Sequence, residues 1–260
     1  MILRFHGSGG NGGSQFTKIE ELKFARDAIG SGFAVASLDS NDRVGKAWDQ
    51  IVNQSNPAAS PDVANIQKLI AMFVTMGLML PSTPVFGSGH SDGAGAALRF
   101  AFLLNWKASH QHCVPGALAI AQATTVPGIW TMAQNDTLAD PNRNASAKIN
   151  SDALAGHLIA TSYIIVAPSA VYSTRFSQIP GISTADSAVI YASLKTASLL
   201  DAKDYQTTDP TTVNFTPIIP PQFSAFGKDI VDQLNVAYTA HQFSSATSRR
   251  VLDFFVARLS

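Results

Sequence analysis

The chain has 260 residues, and its 18 Lys+Arg balance 18 Asp+Glu, so that only 14% of the residues are charged against roughly 25% in an average soluble domain. Zero net charge removes the electrostatic footprint of a nucleic-acid binder or of a protein drawn to anionic membranes. The longest apolar stretch, Leu69 to Leu80, is broken by Thr75 and Gly77 and falls short of the roughly 18 residues that span a bilayer.

Cys113 stands alone, which excludes an intrachain disulfide and a thiolate-built metal site. Hydrophobic content of 46% suits one large α/β domain. Met1 leads directly into a strand-like run, Ile2 to Phe5. Together with the low charge and the abundance of Ser, Thr, Asn and Gln, this leans toward a secreted or periplasmic protein whose leader has been removed, with the cytoplasm as the alternative.

Strand-like and helix-length segments alternate along the chain: strand Ile2 to Phe5, helix Gln15 to Ile29, strand Phe33 to Leu38, helix Val63 to Leu80 and strand Pro84 to Gly87. The rhythm continues with helix Gly93 to Trp106, strands Ala117 to Ala121 and Gly128 to Ala133, a helix around Asn144 to Ile159, and strand Tyr163 to Val166. Such alternation predicts an α/β fold with a mostly parallel sheet of about six strands, covered by helices on both faces. Val63, Ile66, Leu69, Ile70 and Phe73 recur at three- and four-residue spacings, so one face of their helix is core. The rhythm stops at Pro168. From there to Tyr238, a Pro/Thr/Asp-rich stretch (Asp201 to Pro221) lies between helical segments Thr184 to Leu200 and Phe226 to Tyr238. Residues 168–238 therefore read as a lid or cap insertion within a single domain, or as peripheral helices with a long surface loop. A last amphipathic helix runs from Ala246 to Leu259.

Gly89-His90-Ser91-Asp92-Gly93 is a G-x-S-x-G motif between the apolar Val85-Phe86 and a helix that starts on small residues, Gly93 to Ala97. A serine on a sharp strand-to-helix turn has its hydroxyl exposed, and flanking glycines let neighbouring backbone pass. That makes Ser91 the candidate nucleophile. A serine hydroxyl needs a histidine to take its proton and a carboxylate to fix the histidine's tautomer. Asp136 directly follows the strand ending at Ala133 and is the preferred acid; Asp140 is the alternative, and Asp152 sits in a helical pattern where a solvated face is expected. Of six histidines, His6, His90, His110 and His112 precede the acid and His157 falls in a helical pattern, which leaves His241 as the expected base. His6-Gly7-Ser8-Gly9-Gly10 follows the first strand and can aim backbone N–H groups at a developing oxyanion. The expected donors are the amides of Ser8 or Gly9 and of Asp92. His90 beside the nucleophile, and Ile218 and Ile219 in the late insertion, are expected to contact substrate. No phosphate-binding glycine loop and no metal-ligand spacing is found.

Taken together, the Gly-rich turn after the first strand, the Gly-His-Ser-Asp-Gly elbow, Gln134-Asn135-Asp136 and His241 resemble the α/β-hydrolase superfamily of serine esterases. Trp48-Asp49 and Pro61-Asp62-Val63 ahead of the elbow look similar to its polyhydroxybutyrate depolymerase and feruloyl esterase branch. The resemblance implies a Ser-Asp-His triad, a two-amide oxyanion hole, no cofactor, and hydrolysis of small-molecule or polymeric esters through an acyl-enzyme. Two departures stand out. The antiparallel hairpin that opens a full-length member is missing, and the short interval from Ser91 to Asp136 moves any lid into the long interval before His241. The nearest alternative to a serine carboxylesterase is a polyester depolymerase or lipase-type hydrolase, and a dead-triad ligand-binding protein of the same fold is the alternative from another class.

Overall fold

The computed structural model describes residues 1–138 and 140–259. The chain divides into two compact units: Met1–Met132 with Asn142–Ile164 and Ser245–Ser260, and Ala133–Pro141 with Ile165–Ser244.

The first unit holds the sheet, apart from the last residues of two strands. The strands are β1 (Ile2–Phe5), β2 (Val35–Leu38), β3 (Phe86–His90), β4 (Ala108–His112), β5 (Gly128–Ala133) and β6 (Thr161–Val166), in the order β2-β1-β3-β4-β5-β6. The paired strands β2-β1, β1-β3, β3-β4 and β4-β5 are all parallel. The expected α/β architecture is borne out: six strands flanked by helices α1 (Ile19–Gly30), α2 (Pro61–Thr75), α3 (Asp92–Leu104), α4 (Leu118–Ala123), α5 (Arg143–Gly156) and, near the C-terminus, α8 (Ser248–Val256).

Local chemistry sets the helix boundaries. Ser60 caps α2 by accepting the Val63 N–H at 3.1 Å, and Pro61 takes the first helical position, where its missing N–H costs nothing. α3 opens on small residues because its first turn crosses β1 with no room to spare; a Cβ at Gly93 would stand 2.1 Å from the Phe5 carbonyl oxygen. The main core gathers Leu3, Phe5, Trp48, Val63, Ile66 and Phe100. Phe5 meets Trp48 and Phe100 edge-on at centroid distances of 5.2 and 5.4 Å. α8 buries Val251, Leu252, Phe254 and Phe255, and the Phe255 ring stacks on Phe86 at 4.7 Å.

Two elements differ from the sequence reading. Ala117 to Ala121 is no strand: Leu118–Ala123 is a short helix, in keeping with an Ala-rich stretch whose one β-branched residue is Ile120. The strand in that part of the sheet is β4, Ala-Ser-His-Gln-His, every residue of which is buried. A strand inside a parallel sheet ordinarily reads as an apolar run; β4 is polar because its imidazoles bond across the sheet. Ser88 Oγ lies 3.0 Å from His110 Nδ1, and Thr131 Oγ1 lies 2.7 Å from His110 Nε2 and 2.6 Å from His112 Nδ1. A single Thr131 hydroxyl serves both rings, donating to one and accepting from the other. Burial first, then the neighbouring His112 and Arg4, hold the His110 pKa well below the ordinary 6.5.

The second unit carries α6 (Thr184–Thr196) and α7 (Gly227–Tyr238), joined by a segment with short 3₁₀ turns. α6 starts with a full capping box between Ser183 and Asp186. The whole stretch read as an insertion, residues 168–238, lies here. Among the described residues, no helix is long and apolar enough to cross a membrane.

Candidate active site

Ser91 sits between β3 and α3 with φ 58° and ψ −128°. A non-glycine residue pays roughly 1–3 kcal/mol for such a backbone and keeps it only where the surroundings dictate it. Here they do. The Ser91 N–H donates to the His112 carbonyl at 3.0 Å, and the Ser91 carbonyl accepts from the Ala94 N–H at 2.9 Å. Both motif glycines are sterically required: a Cβ at Gly89 would fall 1.9 Å from the Gly93 oxygen, and one at Gly93 would meet Phe5. The G-x-S-x-G spacing is therefore what allows strand, turn and helix to close on one another. Ser91 is thus a strained serine on a strand-to-helix turn of a parallel sheet, the setting in which a G-x-S-x-G motif carries meaning. The fold is a six-stranded α/β sheet with Ser91 at the carboxyl end of β3.

The Gly-rich turn after β1 lies against Ser91. A Cβ on Gly7 would come within 3.0 Å of the Ser91 Cβ and 3.6 Å of its Oγ, so only glycine allows so close an approach. The turn closes by the Gly10 N–H donating to the Gly7 carbonyl at 3.0 Å. Gly9 adopts φ 73° and donates its N–H to the Lys46 carbonyl at 3.3 Å. Of the two amides weighed from sequence, Gly9's is thus engaged with Lys46; Gly9 supplies the turn. The Ser8 N–H makes no bond to protein among the described residues. The Asp92 N–H heads α3, where the first amides of a helix have no intrahelical acceptor.

In the second unit Asp136 and His241 meet. Asp136 Oδ2 lies 2.7 Å from His241 Nδ1, with the carboxylate fully buried and the imidazole 13% exposed. Asp136 Oδ1 accepts the Leu138 N–H at 3.2 Å. Asn135 holds the two loops in register: its N–H donates to the Thr239 carbonyl at 3.1 Å and its side-chain amide to the Tyr238 carbonyl at 2.8 Å. Thr239, in the left-handed region at φ 60°, ends α7 and turns the chain toward His241. Asp140, the alternative acid, is half-buried. Asp152 pairs with Lys148 at 2.6 Å on the exposed face of α5, and His157 is exposed at the end of that helix.

Of the residues expected to contact substrate, His90 is half-buried at the end of β3, its ring 5.7 Å from that of His112. Ile219 is buried and lines a cavity of about 670 Å³ in the second unit with Val213, Phe215, Pro221 and Val231. Ile218 is half-buried and is not among the lining residues. Two residues of evident importance were not singled out as site residues from sequence. Gly7 is visible only through the close approach it permits, and Trp48 only through the partners of its two N–H groups, Asp92 and His6.

No protein-family model matches the chain, and no curated protein is similar to it in sequence. Solved structures are similar in part. An uncharacterized protein of Bacillus cereus aligns over 64% of this chain and 51% of its own length, with 13% identity and a TM-score of 0.47. Acyl-protein thioesterase 2 of Zea mays aligns over 64% of this chain and 83% of its own, with 14% identity and a TM-score of 0.40. A protein of Lactobacillus plantarum, provisionally assigned as a carboxylesterase, aligns over 77% and 86%, with 14% identity and a TM-score of 0.41. Likeness at this level leaves function to be argued from the chain's own residues.

Proposed function

We propose that the protein is a serine carboxylesterase working through an acyl-enzyme. Ser91 Oγ attacks the ester carbonyl, and His241 Nε2 takes the hydroxyl proton. Asp136, accepting from Nδ1–H, fixes the tautomer that leaves Nε2 able to do so and stabilises the imidazolium that forms. The amides of Ser8 and Asp92 hold the oxyanion. Collapse of the tetrahedral intermediate expels the alcohol, which takes the proton from His241. Water activated by the same imidazole then releases the acid and restores Ser91. No step calls for a cofactor.

The observation that carries this reading is the backbone of Ser91: strain at a serine hydroxyl, imposed from both sides by glycines, points to function rather than to packing. The test is turnover of p-nitrophenyl esters of graded acyl length, beside labelling by a fluorophosphonate. Ser91→Ala is expected to abolish the label and to lower kcat by about 10⁶, as triads that act as a unit do. A label that persists on the alanine variant rules out Ser91 as the nucleophile. Activity on an insoluble polyester film, added to the same panel, separates a soluble-ester hydrolase from a depolymerase. The cavity beside Ile219 has the volume of a small-molecule site; it is the proposed place for the apolar part of a substrate.

A further inference from the structure

The proposed chemistry assigns nothing to the segment from Asp39 to Ser60, between β2 and α2. It contains no strand or α-helix, yet Trp48 within it is 2% exposed. Its ring packs on Phe5, on Phe100 at 5.8 Å and on the His6 imidazole at 4.8 Å. Packing alone would be served by any large aromatic. Its two N–H groups are aimed elsewhere. The backbone N–H of Trp48 donates to Asp92 Oδ2 at 3.0 Å, one residue past the nucleophile. Its indole N–H donates to the His6 carbonyl at 2.8 Å, where the Gly-rich turn begins.

The same segment grips that turn at two further points. Lys46 accepts the Gly9 N–H, and the Ser40 N–H donates to His6 Nε2 at 3.2 Å. His6 Nδ1 lies 2.8 Å from the Gly7 carbonyl, so the imidazole stands as its Nδ1–H tautomer. The segment is itself held fast by a reciprocal pair of carboxylates. Asp62 Oδ2 accepts the Asp49 N–H at 2.8 Å and its Oδ1 the Asn41 N–H at 2.5 Å. Asp49 Oδ2 accepts the Ser60 hydroxyl at 2.6 Å and the Asp62 N–H at 3.0 Å.

We infer that Trp48 is a positioning residue for the oxyanion hole, bridging the Asp92 carboxylate to the His6 carbonyl so that the amides of Ser8 and Asp92 keep a fixed separation. The inference rests on the esterase reading. The need for a bridge follows from the geometry: one donor heads a helix, the other sits in a turn whose one internal backbone bond is Gly10 to Gly7. Donors must be held within about 0.5 Å of productive geometry. Asp92 thus acts twice, through its N–H toward the oxyanion and through its carboxylate toward Trp48.

The experiment uses the full chain and three variants. Trp48→Phe keeps an aromatic in the core and removes the indole N–H; Asp92→Ala removes the acceptor; Asp92→Asn restores an acceptor oxygen. Each is measured for kcat, KM, affinity for a boronic acid that mimics the tetrahedral intermediate, and melting temperature, with rates normalised by active-site titration. Outright loss of one oxyanion donor costs about 10²–10³ in kcat, and misplacement should cost less. Trp48→Phe and Asp92→Ala are expected to lower kcat about 10–100-fold and to weaken the boronic acid by the same factor, with KM nearly unchanged. Asp92→Asn should recover most of the kcat and boronic acid affinity that Asp92→Ala loses. A Trp48→Phe variant with wild-type kcat, or one whose loss vanishes on normalisation or leaves boronic acid affinity intact, overturns the assignment. If Trp48→Phe does not fold, the Asp92 pair decides: equal kcat for alanine and asparagine overturns it. A wild type that neither turns over esters nor labels at Ser91 overturns the esterase reading and this inference together, whereas an active wild type with indifferent variants overturns this inference alone.

Discussion

Replacing Asp136 by asparagine probes the proposed base at a single atom. Asp136 Oδ1 accepts the Leu138 N–H, and Oδ2 faces His241 Nδ1 at 2.7 Å. The asparagine fits the same volume. Its carbonyl oxygen satisfies the Leu138 N–H, which turns its NH₂ toward His241 and makes Nδ1 an acceptor. The imidazole proton then moves to Nε2, the nitrogen that has to receive the Ser91 proton. In a serine protease the corresponding change costs about 10⁴ in kcat, equivalent to about 5.4 kcal/mol of transition-state stabilisation at 1.36 kcal/mol per decade. The same loss is expected here, with KM and melting temperature nearly unchanged because the shape of the side chain is conserved. Steady-state hydrolysis of a p-nitrophenyl ester gives kcat, and ¹⁵N chemical shifts of His241 report the tautomer directly. Retention of more than about a tenth of wild-type kcat, where about 10⁴-fold loss is expected, would refute the reasoning. So would inactivation by Asp140→Asn in place of Asp136→Asn, which would exchange the two carboxylates.

Gly93→Ala places a Cβ 2.1 Å from the Phe5 carbonyl oxygen and 2.6 Å from that of His6, backbone that has no rotamer to change; a large fall in melting temperature or loss of soluble protein is expected, and a thermal melt like that of wild type would contradict it. His110 is held neutral in the fold, its pKa well below the ordinary 6.5, so the unfolded chain binds the extra proton. The contribution of His110 therefore favours the native state above pH 6.5 and is lost as pH falls below it, at up to about 1.4 kcal/mol per pH unit. NMR of the imidazole should show it uncharged at pH 6.5, and a half-protonated His110 at that pH would refute the assignment. Asp152→Asn breaks an exposed (i, i+4) pair with Lys148 worth about 0.3–0.5 kcal/mol; kcat should not change, and a marked loss of activity would bring α5 into the site.

What the sequence made legible follows from where its information is local. The elbow can be read because Gly89 and Gly93 each answer a clash set by the strand-turn-helix geometry itself. α2 can be read because Ser60, Pro61 and the spacing of Val63 and Ile66 all lie within a few residues of one another. Asp136 could be preferred to Asp140 because it follows β5 directly, and the 2.7 Å contact with His241 joins residues 105 positions apart that each stand just beyond a recognisable element. Trp48 lies in a stretch with no periodicity at all. Its partners are 42 and 44 residues away, so nothing nearby in the sequence marks its two donors.

β4 shows the same limit from the side of burial. Apolar letters stand for burial only when a side chain has no partner to meet; Ser88, His110, His112 and Thr131 are buried as a set because adjacent strands bring them opposite one another. Read singly, each argues for surface. Read together, they form a layer in which one hydroxyl satisfies two imidazoles, and the cost of burying any one of them falls on the removal of its neighbour. The consequence reaches Ser91, whose backbone N–H donates to the carbonyl of His112. The elbow's strain is held by the strand that its sequence makes hardest to see. A substitution at Thr131 that leaves both imidazoles short of a partner should loosen Ser91 without touching any residue assigned to the chemistry.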